Sequence, residues 1–430
     1  MAKLVIIGAG SGFGGRLSVD FLSREPLREG ATIGLCDINA DSLRQVTAYV
    51  QRVIDTHKLP AKVVAATDHN DLLPGADFVV TSVSVGGGAY WGYPFAHEMN
   101  IPRKYGVNQS VADTIGPGGV LRFLRTAPAQ LGFCKDMERH CPDALLLNHT
   151  NPMAMLTWLH SVGSAVRNVG LCHSVQGTSQ QLADYLGVPA GEVSYWVAGI
   201  NHQAWFLELR HKGADAYPRL RQAMENPEIF AKDRVRFEVL RHFDYFVTES
   251  STHMSEYLPY FRQSQELLDR FGLRTWDVRM TPPTNREWMK DGAADAKAAG
   301  PLQRSQEFTT GIMEAVVTNT PYRFHGNVMN THLVTNLPAG ACVEVPCLTD
   351  GRGVHPCYVG DLPGQLAALN RTNVNVQQLA VEAALNKDKK AAFQAVALDP
   401  LTAAVLPLHR IREMFDEMWA AQKDLLAWME

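Results

Sequence analysis

The sequence predicts an α/β protein: a doubly wound parallel sheet over residues 1–200 and a second, α+β domain over residues 201–430. Three features predict it. Short runs rich in Val, Ile and Leu alternate with helical stretches through the first half, the pattern of strands covered on both faces by crossover helices. A glycine-rich loop follows the first apolar run directly and opens the first helix. Near Val193 the alternation stops, and two strand-like segments follow one another with no long helix between them, which signals antiparallel pairing.

Taken in order, Lys3–Gly8 is the first buried strand, and Gly8-Ala9-Gly10-Ser11-Gly12-Phe13-Gly14-Gly15 leads into a helix. Thr32–Asp37 is the second strand and ends in an acid; Lys62–Ala66 is the third. Asp77–Val83 is the fourth and runs towards Gly86-Gly87-Gly88. Helical periodicity covers Gly119–Glu138, and Ala144–Asn148 and Asn168–Cys172 are two further strands, each entering a polar loop. Ligands of such sheets bind outside the carboxyl ends of the strands, where Asp37, Gly86–Gly88, Asn151 and Cys172 fall. Val193–Gly199 and Trp205–Leu209 form the antiparallel pair. Helices, the strands Tyr322–Met329 and Cys342–Leu348, and the helical stretches Asp361–Ala397 and Leu408–Trp428 complete the second half, which is expected to supply one wall of a cleft.

The length of 430 residues suits two or three packed units, and 46% hydrophobic with 20% charged residues supplies a large core. Forty basic against 44 acidic residues give a net charge of −4, which disfavours a nucleic-acid partner because no excess of cations is present to neutralise phosphates. No apolar run approaches the ~18–20 residues of a membrane span, and the N-terminal apolar stretch is too short for a signal peptide. The seven cysteines are odd in number, irregularly spaced and free of any CxxC pair. This usage predicts reduced thiols, no structural zinc and a cytoplasmic location.

A strand that opens a helix through Gly8-x-Gly10 is the setting in which backbone N–H groups and the helix N-terminus hold a pyrophosphate. Asp37 at the end of the second strand can accept from both ribose hydroxyls and would repel a 2′-phosphate, so NAD is the expected dinucleotide of a Rossmann-like unit. The fingerprint departs at its sixth position, where Phe13 stands and glycine arrives one residue later at Gly14. Gly8, Gly10, Ser11, Gly12, Phe13, Asp37 and Ser84 form the candidate cofactor set.

Three polar segments mark the later strand ends: Asn148-His149-Thr150-Asn151-Pro152, Leu171-Cys172-His173-Ser174 and Gly199-Ile200-Asn201-His202. Singly, a cysteine or histidine more often serves packing. Together at a ligand edge, the Cys172 thiolate and His202 imidazole are competent ligands for a transition metal. Two protein donors leave coordination positions open to substrate oxygens, which suits Lewis-acid chemistry.

Gly8-Ala9-Gly10-Ser11, Asp113-Thr114-Ile115-Gly116-Pro117-Gly118-Gly119, Thr150-Asn151-Pro152-Met153, Cys172-His173-Ser174-Val175, Gly199-Ile200-Asn201-His202 and Asn336-Leu337-Pro338 occur in this order. With them the chain resembles glycoside hydrolase family 4, the NAD- and manganese-dependent glycosidases, over nearly its whole length. The Cys-His-Ser-Val form, Phe246–Ser251, Asn373–Gln377 and Asp399–Val405 resemble most the melibiase-type α-galactosidase branch. The resemblance implies a route unlike the paired-carboxylate scheme of most glycosidases. Hydride leaves sugar carbon 3 for NAD, a base takes the acidified proton from carbon 2, the glycosidic oxygen is eliminated, water adds, and the hydride returns. It further implies that Cys172 and His202 ligate Mn²⁺ or another divalent cation and that Asn151 touches the sugar hydroxyls. By the same resemblance Tyr257 is the base at carbon 2, and His173 or Asp113 is the acid. Asn201 and His173 join the substrate-binding set. The resemblance also implies a homodimer or homotetramer.

Phosphoglycosidase members of the family carry an aspartate after the cysteine, where His173 stands here, so a non-phosphorylated α-glycoside is expected, with galactoside leading and glucoside, uronide or sulfonated sugar as alternatives. Gly86–Tyr93 and Arg279–Gly300 depart from the melibiase branch and can reshape the pocket. An NAD-dependent hydroxy-acid dehydrogenase and a non-enzymatic NAD-binding redox sensor are the rival readings. Neither needs the combination of Asn151, Cys172, His202 and Tyr257.

Overall fold

The computed structural model describes residues 1–87, 92–275 and 298–430. Gly88–Trp91 and the part of Arg279–Gly300 up to residue 297 lie outside the described residues. The strands are β1 (Lys3–Ile7), β2 (Ala31–Cys36), β3 (Ala61–Ala66), β4 (Phe78–Thr81), β5 (Leu145–Asn148), β6 (Asn168–Gly170), β7 (Val193–Ile200), β8 (Gln203–His211), β9 (Ala214–Asp215), β10 (Tyr322–Met329), β11 (Cys342–Asp350) and β12 (Gly353–Pro356). Among the described residues they form one mixed sheet in the order β3-β2-β1-β4-β5-β6-β10-β11-β7-β8-β9, with β12 paired to β11. The run β3-β2-β1-β4-β5-β6 is parallel, as expected from the alternation of apolar runs and helices.

The double winding follows from the strand period of two. Leu4, Ile6, Phe78, Val80, Leu145 and Leu147 enter one core with Leu17 and Phe21 of the helix Gly12–Leu22 and Val46 and Val50 of the helix Ala40–His57. The alternate residues Val5, Ile7, Val79 and Leu146 enter a second core with Cys134 and Met137 of the helix Gly116–His140. Continuous Val/Ile/Leu runs are therefore needed, because both faces of each strand leave water. Each such side chain contributes about 1.5–3 kcal/mol on full burial.

Val193–Ile200 and Gln203–His211 pair as the expected antiparallel hairpin, with Ile200 opposite Gln203. The boundary expected near residue 200 falls at this turn, within a sheet that both halves of the chain build: β10 and β11 stand between β6 and β7. The ends of β5, β6 and β7 are thereby brought to one edge. No helix among the described residues is long and apolar enough to cross a membrane.

Candidate active site

The glycine loop closes tightly on the strand ends beside it. The N–H groups of Gly8 and Ala9 both donate to the Cys36 carbonyl over 2.9 Å, and Gly10 N donates to Asp37 Oδ2 over 2.8 Å. Gly8 has φ +88°, and a Cβ there would lie 2.1 Å from the Ser82 carbonyl oxygen. A Cβ at Gly14 would lie 1.9 Å from the Ala9 carbonyl oxygen. Gly14 thus permits the close approach of helix to loop, one residue beyond the position the fingerprint assigns to it. Ser11 caps the helix by accepting from Phe13 N, and its hydroxyl donates to Ser82 Oγ over 3.2 Å. No atom lies within 4 Å of a Cβ built at Gly12, and the first turn of the helix carries no acid. An uncrowded helix N-terminus beside the Asp37 carboxylate fits the pyrophosphate and ribose of a dinucleotide. Gly8, Gly10, Ser11, Gly12, Phe13 and Asp37 are gathered here, and half-buried Ser84 lies two residues beyond Ser82 in the adjoining loop.

A second cluster lies where β6, the β7–β8 turn and the segment alongside β8 meet. Cys172 follows β6, and His202 turns the hairpin with φ +62°. Glu249, at φ +73°, is delivered by a stretch running beside β8, where Thr248 N donates to the Ala204 carbonyl over 2.8 Å. One ligand atom of each of Cys172, His202 and Glu249 lies within 4.8 Å of the others. His202 Nε2 stands 3.4 Å from Glu249 Oε2, while its Nδ1 is buried without a hydrogen-bond partner. Burial alone would raise the Glu249 carboxyl, but His202 and His253, whose Nδ1 is 3.8 Å from Glu249 Oε1, outweigh it and hold it far below the usual range. Desolvation of the sulfur and the Glu249 carboxylate push the Cys172 thiol up to about 11. A thiol, an imidazole and an ionised carboxylate this close form a donor set for a divalent transition metal, whose charge would deprotonate the thiol.

The third part is a buried hydrogen-bonded network. Asn151 Nδ2 donates to Asp113 Oδ2 over 2.8 Å. His253 Nε2 lies 3.4 Å from Asp113 Oδ1 and 3.0 Å from Thr114 Oγ1. The Tyr257 hydroxyl donates to Thr114 Oγ1 over 2.8 Å. Rings join the network to the cluster: the His202 centroid is 4.5 Å from that of His253 and 6.2 Å from that of Tyr257. Burial would raise the Asp113 carboxyl, yet His253, Arg122 and His202 hold it below its ordinary value. Burial, with the Asp113, Glu249 and Glu256 carboxylates, drives the Tyr257 phenol well above its ordinary value, against the lowering effect of Thr114. His173 is exposed at the start of the helix Ser174–Leu186, and its Nδ1 is 4.0 Å from buried Glu307. Asn201 is buried in the hairpin turn beside Cys172.

Residues 3–188 match the model of the family 4 glycosyl hydrolases, and residues 197–402 match that of the family 4 glycosyl hydrolase C-terminal domain. The chain belongs to glycosyl hydrolase family 4. It is 40% identical to an alpha-galactosidase of Bacillus subtilis (strain 168), with 99% of each chain covered. It is 37% identical to an alpha-galactosidase of Rhizobium meliloti (strain 1021), covering 98% of this chain and 88% of the relative. A crystal structure of a 6-phospho-alpha-glucosidase from gut microorganisms, in complex with NAD and Mn²⁺, superposes with a TM-score of 0.77 at 19% identity, covering 99% of this chain and 98% of that one. That likeness shows a shared fold at low sequence identity.

In this family 4 enzyme the structure brings Asn151, Cys172, His202, Asp113 and Tyr257 together at one sheet edge. His173 adjoins Cys172 in sequence but is paired with Glu307. Glu249, His253 and Thr114 are the members of the site that sequence reasoning did not single out. A signal for two of them is present: Glu249, His253 and Tyr257 recur at a spacing of four, which puts His253 and Tyr257 on one side of the helix Ser251–Tyr257, while Glu249 precedes its cap and reaches to 3.8 Å from His253.

Proposed function

We propose that this chain hydrolyses a non-phosphorylated α-galactoside by transient oxidation at sugar carbon 3, elimination across carbons 1 and 2, addition of water and re-reduction. The observation that carries this reading is the side-by-side placement of a Cys-His-Glu donor set and a buried Asp113–His253–Thr114–Tyr257 network, at the same sheet edge as a dinucleotide-type glycine loop. The full-length likeness to two alpha-galactosidases supports the sugar.

The glycine loop, Ser11 and Asp37 would hold NAD, and Cys172, His202 and Glu249 would hold Mn²⁺ or another divalent cation. When bound, the two would supply reversible hydride acceptance at carbon 3, Lewis-acid polarisation of the sugar oxygens and positive charge that lowers neighbouring pKa values. Asn151 orients the sugar hydroxyls while its amide is held by Asp113. Tyr257 takes the proton from carbon 2. In the protein as described its phenol is a donor to Thr114 and is held protonated by surrounding carboxylates. Its base role therefore depends on added positive charge beside it, and the oxidation at carbon 3 must come first. His173 supplies the proton to the leaving oxygen. It is exposed next to Cys172, whereas Asp113 is buried, held ionised and committed to Asn151 and His253.

An aryl-glycoside panel tests this reading, with NAD, Mn²⁺ and reductant each omitted in turn. Release of the aryl group from the α-galactoside, dependent on both cofactors and without net NADH, is expected. Net NADH formation from a hydroxy acid, or full activity after exhaustive chelation and dialysis, contradicts it. Faster turnover of the glucoside or galacturonide would move the substrate within the same mechanism.

A further inference from the structure

We propose that Glu256 is a positioning residue: its buried carboxylate gathers three consecutive backbone N–H groups and so holds Asp113 and Thr114 in place against His253 and Tyr257. The inference rests on the glycosidase reading above and adds a residue to it.

Glu256 is 1% exposed and immediately precedes Tyr257. Its Oε1 accepts from Ser110 N and, over 2.7 Å, from Val111 N; its Oε2 accepts from Ala112 N over 3.4 Å. These residues lead directly into Asp113 and Thr114. Ala112 adopts φ +52°, a left-handed conformation that an alanine does not hold unaided. A carboxylate that receives its N–H together with those of the two preceding residues compensates that cost, since charge-assisted hydrogen bonds are the strong class.

The loop is pinned from two further sides. Ser110 Oγ donates to the Thr252 carbonyl over 3.0 Å. Arg262, fully buried, donates from Nη1 to the Asn108 carbonyl over 2.9 Å and from Nε to Ser255 Oγ over 2.6 Å, and supplies a positive charge beside Glu256. Behind the loop the helix Gly116–His140 begins with glycines. A Cβ at Gly118 would stand 2.7 Å from the Ala112 Cβ, and one at Gly119 would stand 2.8 Å from the Thr114 carbonyl carbon. Ser255, Glu256 and Tyr257 thus each grip the loop: Ser255 through Arg262, Glu256 through three amides, Tyr257 through Thr114. The Glu256 oxygens are taken up by amides, with His253 Nε2 at 3.8 Å, so Glu256 acts through the loop and touches no reacting atom.

The test compares wild type, Glu256→Gln and Glu256→Asp as holoenzymes saturated with NAD and Mn²⁺, turning over an aryl α-galactoside. Active-site concentration is set by NAD titration, and amide hydrogen exchange is followed over residues 108–115. Glutamine keeps the shape but turns an NH₂ towards an amide donor. Aspartate keeps the charge but withdraws it by one methylene. Both should lower kcat per NAD-binding site, by about 10²-fold for glutamine as expected for a misplaced catalytic loop. KM and the NAD and Mn²⁺ affinities should stay within a few-fold, and the amides of Ser110, Val111 and Ala112 should exchange faster. Unchanged kcat per competent site, with losses confined to the folded fraction, would reduce Glu256 to a stability role and overturn the proposal. Exchange equal to wild type would overturn it as well. If wild type itself turns over no glycoside, the functional reading fails while the exchange comparison still decides the clamp.

Discussion

Asn373 Nδ2 donates to the backbone carbonyl of Tyr257 over 3.1 Å and to Gln203 Oε1 over 2.9 Å. Gln203, next to His202, receives a second hold from Asn370 Nδ2, which donates to its backbone carbonyl over 2.7 Å. All three side chains are fully buried or nearly so. The helix Gly364–Asn386 therefore braces the His202 turn and Tyr257 together from behind.

Asn373→Leu fills the same space but leaves the Tyr257 carbonyl without that donor, while Gln203 Oε1 keeps Asn370 Nδ2 at 3.1 Å. Unsatisfied buried acceptors cost about 1–3 kcal/mol. A urea midpoint lowered to that extent, accompanied by a fall in kcat, is the expected result.

Glu249→Gln tests the missed member of the donor set. It keeps the side-chain length and removes the negative charge 3.4 Å from His202 Nε2. Mn²⁺ affinity, followed by electron paramagnetic resonance of the free ion, should weaken by at least about 10–100-fold, the range typical when groups supporting metal ligands are altered. NAD affinity should be unchanged, because Glu249 is not among the residues of the dinucleotide set.

Tyr257→Phe removes the phenol and its bond to Thr114 while keeping the ring. Loss of a general base costs about 10²–10⁴-fold in rate. Retained NAD and Mn²⁺ binding with a loss of that size is expected; a rate near wild type would remove Tyr257 from the mechanism.

Asp399, close enough to feel the Glu256 carboxylate, gives a pH signature of its own. It caps the helix Pro400–Val405 by accepting from Thr402 N, and burial raises its carboxyl to about 6. The folded state therefore takes up the proton before the unfolded state does. Its unfavourable contribution is complete above pH 6 and is relieved as pH falls from about 6 towards 4, by about 3 kcal/mol in all. Asp399→Asn should remove that relief, so the difference between variant and wild-type stability should shift in favour of wild type as the pH is lowered through this window.

Much of the fold was legible because β1, β2 and β4–β6 are largely buried on both faces and read as near-continuous apolar runs, whereas the edge strand β3 is half-buried to exposed throughout. The glycine loop was legible for the same reason: Gly8 and Gly14 stand where any side chain would strike backbone. Asn151, Cys172 and His202 were found because each follows a strand directly. Glu249 and His253 escaped since neither ends a strand, although their spacing of four before Tyr257 carried the signal. Glu256 was illegible in a stronger sense. Its partners lie 145 residues earlier in the chain, and nothing in the local pattern of Ser255-Glu256-Tyr257 names them.

Hydrolysis of an aryl α-galactoside in D₂O, with the galactose analysed by NMR at carbon 2, addresses the central claim directly. Removal of the carbon 2 proton by Tyr257 and its return from solvent-exchanged groups predicts deuterium at carbon 2 in the product, with no net NADH. Galactose carrying only protium at carbon 2 would reject elimination and return the enzyme to direct acid/base hydrolysis, leaving the glycine loop and Asp37 without a part in the chemistry.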